Sequence, residues 1–98
     1  MVFKIKTTPA FKKWLKKVKD PISRARIMAR LQRIRNGNFG TINTIDIRIS
    51  EFKFTFGGGI RIYYTVVDNQ IVLLLLGGNK STQQKDISKA KQILKELE

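Results

Sequence analysis

The sequence predicts an α+β fold of order β-α-α-β-β-β-α: a mainly antiparallel sheet, two N-terminal helices on one face, and a C-terminal helix. Three observations carry that expectation. Two early stretches repeat apolar residues every three to four positions, each opened by a capping residue and a proline. Then come period-two runs joined by turn signals, "ISEFKFTF", "GGG", "IRIYYTVV" and "DN". Helical periodicity returns at the end of the chain. At 98 residues the chain is expected to form one domain over 1–98, with enough surface buried for one core.

The opening "VFKIKT" alternates apolar and charged residues and reads as a short strand. Thr8 and Pro9 then supply an N-cap and a proline suited to the first helical position. Phe11, Trp14, Leu15 and Val18 form one apolar stripe, with Lys12, Lys13, Lys16 and Lys17 off it. Trp14 on that stripe reads as core. Asp20-Pro21 ends this helix and caps the next, which closes at Asn36-Gly37. Ile27, Leu31 and Ile34 form its inner face, while Arg26, Arg30 and Arg33 line up on another. "NFGTINT" reads as a loop.

If Gly57, Gly58 and Gly59 alone make the next turn, Phe56 faces Ile60, Phe54 faces Ile62 and Phe52 faces Tyr64, an apolar face that belongs to the core. The other face then pairs Glu51 with Thr65, Lys53 with Tyr63 and Thr55 with Arg61. Asp68-Asn69 reads as a two-residue hairpin turn, which sets Arg61 opposite Leu76. "QIVLLLLGG" shows no alternation and reads as a strand covered on both faces. Ser81 to Gln84 fits a capping box, and Ile87, Ala90, Leu94 and Leu97 give the last helix its apolar stripe.

Composition narrows the function. Without cysteine or histidine, the chain cannot build a disulfide, a thiolate or imidazole metal site, or a Ser-His or Cys-His nucleophile. No stretch approaches the roughly 20 apolar residues of a membrane span, so an intracellular, cytoplasmic protein without membrane contact is expected. Twenty Lys and Arg against seven Asp and Glu leave a net charge of +13. Such a field attracts polyanions. Because the charge is spread over several elements, nucleic acid fits better than a membrane surface, which calls for one basic amphipathic helix. Lys12, Lys13, Lys16, Arg26, Arg30 and Arg33 are the candidate RNA contacts. A merely solvated basic face is the bland alternative.

Two glycines after "LLLL" allow a bend, and Lys80, just past the strand, can fold over the sheet near Glu51, Lys53, Arg61 and Tyr63. A face mixing one carboxylate, two lysines, an arginine and a tyrosine makes a poor core. It suits holding a phosphate while a neighbouring group moves a proton. The bland alternatives are a structural Arg61–Glu51 ion pair and a solvated Lys80.

"ISEFKFTFGGGIRIYY" followed by "LLLLGGNKSTQQKDISKAK" resembles the RelE/HigB-type toxins of bacterial type II toxin–antitoxin modules, in particular the addiction-module killer proteins. The resemblance spans essentially the whole chain, including "NFG" after the second helix. It implies a RelE-like α/β toxin, silenced by a cognate antitoxin, that cleaves mRNA at the ribosome. Arg61 matches the family's strand arginine and Lys80 its loop lysine. Lys53 stands where arginine is more frequent, Asn79 replaces an aspartate, and the histidine of some relatives is absent. The implied partners are a small helix-turn-helix antitoxin, mRNA and the ribosome, with operator DNA contacted only through the antitoxin.

The chemistry needs neither metal nor cofactor. The 2′-OH attacks the adjacent phosphate, the phosphorane charge is stabilised, and the leaving 5′-oxygen is protonated. Arg61 suits the second task, since a fixed guanidinium grips two phosphate oxygens. Lys80 and Lys53 position the phosphate or donate a proton. Glu51 is the candidate base, and Tyr63 a base-stacking or proton-transfer group. A non-enzymatic RNA- or ribosome-binding module is the alternative.

Overall fold

The computed structural model describes residues 2–98. Strand β1 (Lys4–Thr7) leads into helices α1 (Pro9–Lys17) and α2 (Pro21–Arg35). Strands β2 (Ile42–Thr44), β3 (Ser50–Lys53), β4 (Arg61–Val67) and β5 (Ile71–Gly78) follow, then helix α3 (Gln83–Glu96). The strands form one sheet of order β1-β5-β4-β3-β2. Only the β1–β5 pair is parallel; β2, β3, β4 and β5 make an antiparallel meander. The α+β expectation holds, with one strand more than expected. Strand β2 lies inside the segment read as a loop, because three exposed residues on an edge carry no alternation to reveal them. Among the described residues, no helix is long and apolar enough to cross a membrane.

Both early helices start where the sequence places them. Thr8 Oγ1 accepts the Phe11 amide at 3.0 Å, with Pro9 at the first helical position. Asp20 accepts the amides of Ile22 and Ser23 and the Ser23 hydroxyl, the last at 2.7 Å. Helix α1 also borrows from α2: Arg24 Nη1 donates to the carbonyls of Leu15 and Val18, at 2.6 and 3.0 Å. The Leu15 carbonyl, in the last turn of α1, also accepts the Val18 amide at 3.1 Å, and Val18 is the residue that ends the helix.

The sheet separates two cores. On one face Phe11 of α1 and Ile27, Leu31 and Ile34 of α2 bury against Phe52, Phe54, Ile62 and Tyr64. On the other, Ala90 and Leu94 of α3 pack with Ile49, Tyr63, Leu75 and Leu76. β5 is thus covered on both faces, as its unbroken apolar run predicts.

The pairings differ from expectation in ways that matter for the site. The turn between β3 and β4 occupies Thr55 to Gly59, not the glycines alone, with the Phe54 amide bonded to the Ile60 carbonyl at 3.0 Å. Gly57, Gly58 and Gly59 all take positive φ, 62°, 73° and 78°, a run of left-handed backbone that only glycine adopts readily. Phe52 therefore pairs with Ile62, Glu51 with Tyr63, and Lys53 with Arg61. The shift is two residues, so each side chain keeps its expected face.

Between β4 and β5 two single-residue slips add up. Asp68 and Asn69 form the left-handed turn, both at φ 55°, but Gln70 is an extra residue whose carbonyl binds the Lys4 amide of β1. A bulge then leaves Leu75 without a partner across the ladder, and the Thr8 hydroxyl donates to its carbonyl at 2.7 Å. Arg61 consequently sits opposite Gly78 instead of Leu76, two residues from Lys80.

Gly77 and Gly78 remain in the extended strand and make no bend. Their role is close packing. A Cβ on Gly77 would lie 2.2 Å from the Trp14 ring, and one on Gly78 would strike the Asp86 carboxylate.

Candidate active site

The turn at Thr55–Gly59 and the segment after β5 are joined where the Lys80 amide donates to the Gly58 carbonyl at 3.2 Å. One turn of 3₁₀ helix, Lys80–Thr82, begins there and runs into α3. Its N-cap is Asn79, not the expected Ser81. The Asn79 Oδ1 accepts from the amides of Ser81 and Thr82 at 2.9 and 3.2 Å, and Thr82 Oγ1 accepts the Asn79 amide. The amide side chain at this position caps a helix, a task its oxygen performs without negative charge.

This arrangement gathers three cations. Arg61 Nη1 donates to the Gly59 carbonyl at 2.8 Å. A Cβ placed on Gly59 would lie 3.2 Å from that Nη1 and 3.3 Å from Lys80 Cβ, so both side chains crowd one bare stretch of backbone. Lys53 is the direct cross-strand neighbour of Arg61 and half-buried, whereas Lys80 is exposed.

Beneath them lies Glu51, with no exposed surface at all. Its carboxylate is 3.8 Å from Arg61 Nε and accepts from Gln83 Nε2 at 3.1 and 3.3 Å and from Asn43 Nδ2 at 3.4 Å. A carboxylate so enclosed fixes the guanidinium above it; in this geometry no substrate hydroxyl reaches it as a base. Sequence reasoning missed Asn43 and Gln83. Asn43 lies in the segment read as a loop, and Gln83 is an uncharged residue that neither the capping box nor the apolar stripe marks.

Tyr63 also lies below the site. It is fully buried in the α3-side core, and its hydroxyl has no hydrogen-bond partner among the described residues. Burial, then the charges of Glu51 and Asp86, push its phenol well above the usual value. It is therefore neither a stacking platform nor a proton donor at the surface, contrary to expectation.

Of the candidate RNA contacts, Lys12, Lys13, Lys16, Arg26 and Arg33 are exposed. Arg30 is not, and leaves that set. Its guanidinium turns inward and donates to the carbonyls of Lys53, Phe39 and Thr41. It also stands 4.6 Å above the Phe54 ring. These carbonyls lie at the end of β3 and on the approach to β2, where Thr41 also accepts the Lys53 amide, and a rigid five-donor fork reaches all three.

No family model matches the chain. An uncharacterized protein of Haemophilus influenzae is 43% identical over 97 residues, covering 99% of this chain and 98% of its own length. The chain belongs to the same family as that protein. Among solved structures, a double mutant of the E. coli toxin RelE in the free state aligns over 94% of this chain and 97% of its own, with a TM-score of 0.75 at 16% identity. The fold is that of RelE. A chain of the intact E. coli RelBE toxin–antitoxin complex shares the RelE fold at a TM-score of 0.59 and 17% identity, over 81% of this chain and 96% of its own. The RelE-like architecture implied by the β3–β4 and β5–α3 motifs is thereby borne out.

Proposed function

We propose that this protein is the toxin of a type II toxin–antitoxin module and acts as a ribosome-associated, metal-independent mRNA endoribonuclease. The observation that carries this reading is the convergence of Lys53, Arg61 and Lys80 at the Thr55–Gly59 turn, with Arg61 braced from below by Glu51. The RelE fold and the +13 charge support it.

In the reaction the 2′-oxygen bonds to phosphorus, loses its proton, and the bond to the 5′-oxygen breaks as that oxygen gains one. Arg61 stabilises the phosphorane, since its guanidinium is charged, held by a carbonyl and a carboxylate, and largely withdrawn from water. Lys80 and Lys53 hold the phosphate and supply the proton to the leaving oxygen. Glu51 acts by orienting Arg61, so the proton acceptor is another group. The structural likeness to a RelBE chain supports a cognate antitoxin; that it is a small helix-turn-helix protein through which operator DNA is reached is what the motif resemblance implies.

One observation favours the non-enzymatic RNA- or ribosome-binding alternative: burial of Glu51 and Tyr63 removes the candidate base and the tyrosine from the surface, leaving only lysines there for proton transfer. Induced expression separates the two, with growth followed and mRNA 5′ ends mapped. A nuclease arrests growth and creates new 5′ ends, and Arg61→Ala abolishes both effects. Arrest without new ends indicates a binding module.

A further inference from the structure

A second basic feature lies away from Arg61. Thr7 of β1 pairs with Leu74, and β1 goes no further, so β5 has no strand neighbour on that side from Leu75 to Gly78. Over this open edge runs a groove of about 430 Å³ between α1 and α3. Lys13 and Lys17, one helical turn apart on α1, line one wall. Lys85 and Lys89, one turn apart on α3, line the other. All four are exposed, and among the described residues none forms an ion pair. The one carboxylate in the groove, Asp86, accepts the Thr82 hydroxyl.

The Trp14 ring lies over Gly77 at the floor. It also lines the adjoining cavity that contains Gly78 and Asn79, the residues leading to Lys80. That cavity also takes in Gly57 of the Thr55–Gly59 turn, so the groove runs toward the backbone that carries the candidate active site.

We infer that the α1–α3 groove is a track for the phosphodiester backbone of single-stranded RNA, holding the strand that flanks the phosphate at Arg61. Only the location of that phosphate rests on the nuclease reading. Two lysine rows along an aromatic floor are the features that bind a single strand without sequence preference: charge for the backbone and a ring for a base. A protein partner of comparable size needs an apolar centre. Here none of the large exposed apolar side chains lines the groove, and three of them, Ile47, Val66 and Val67, surround a different cavity.

The test measures binding of a short, 5′-labelled, 2′-O-methylated oligoribonucleotide to the full chain by fluorescence anisotropy across a salt series. This probe cannot be cleaved by 2′-OH attack, so the outcome is independent of nuclease activity. A chain that binds through the groove but never cuts mRNA refutes only the earlier reading. Lys85→Gln with Lys89→Gln, and separately Lys13→Gln with Lys17→Gln, should each flatten the log–log salt dependence by roughly 1.4, two phosphates at about 0.7 each. Lys91→Gln with Lys95→Gln removes the same charge from α3 outside the groove, and should change the slope by less than half as much. Trp14 fluorescence should change on saturation with the probe. Equal effects of groove and control substitutions overturn the proposal, as does an unaltered Trp14 signal. So does lysine-dependent binding of polyglutamate with no effect of the groove substitutions on the RNA probe.

Discussion

Gln83 donates its side-chain amide to both carboxylate oxygens of Glu51, across 32 residues of sequence. The contact ties the first turn of α3 to the middle of β3 and completes the shell of a fully buried anion. Gln83→Ala should destabilise the fold by about 1–3 kcal/mol in urea unfolding, because an enclosed carboxylate loses its best donor. Gln83→Glu should be worse still, because it sets a second carboxylate against the enclosed one. Glu51→Gln should lower cleavage through a looser Arg61 while leaving the shape of the pH–rate profile intact. Loss of the acid limb would instead make Glu51 the base.

Arg30 is predicted to be structural. Arg30→Ala removes a charged donor from three carbonyls, of which Thr41 keeps the Lys53 amide, and should lower stability by about 3 kcal/mol, since hydrogen bonds from a charged donor are the strong ones. Arg26→Ala and Arg33→Ala should stay within about 0.5 kcal/mol of the parent yet weaken RNA binding. Thermal melts and anisotropy on the three variants distinguish the roles. A fully stable Arg30→Ala would contradict the assignment.

Tyr63 offers a test by pH. Its hydroxyl has no partner among the described residues, so Tyr63→Phe should fold within about 0.5 kcal/mol of the parent or slightly better. The folded phenol holds its proton above the ordinary value of 10.0, whereas the unfolded one does not. The resulting stability is complete below pH 10 and falls as pH rises beyond it. Denaturant titrations above pH 10 should therefore show a shallower decline in Tyr63→Phe. Tyr64, raised in the same direction by burial, supplies part of what remains.

Gly77 is predicted to be intolerant of any side chain. Gly77→Ala puts a methyl 2.2 Å from the Trp14 ring and should reduce stability by about 2 kcal/mol, at the scale of overpacked cores. Gly77→Ala should cost less in a Trp14→Ala background than in the parent, a non-additivity expected of touching residues. Calorimetry of the four members of the cycle measures it.

What could be read from the chain was local. Thr8-Pro9 and Asp20-Pro21 announce helices because a cap and a proline act within one turn. The faces of β3 and β4 were legible because alternation survives a shift of two. What was hidden depended on residues far apart. The partner of Arg61 is set by Gln70 being drawn to β1 and by Leu75 being held by Thr8, neither visible in a hairpin rule. Arg30 carries the same periodicity as Arg26 and Arg33, and only the carbonyls near β2 and β3 tell it apart. Glu51 looked reactive because sequence shows charge but not the lid that Gln83 makes over it.

The Thr8–Leu75 bond spans 67 positions, and β1 is held in the sheet by β5 alone. Made before β5, β1 must therefore wait, unpaired, until that strand has left the ribosome. In the meander, by contrast, β3, β4 and β5 follow one another through short turns and can zip locally. Assembly should thus run from the C-terminal half backwards, with Arg61 and Lys80 brought together before the N-terminal strand finds its place. A chain interrupted before β5 lacks both the strand that secures its start and the lysine that completes its cationic cluster.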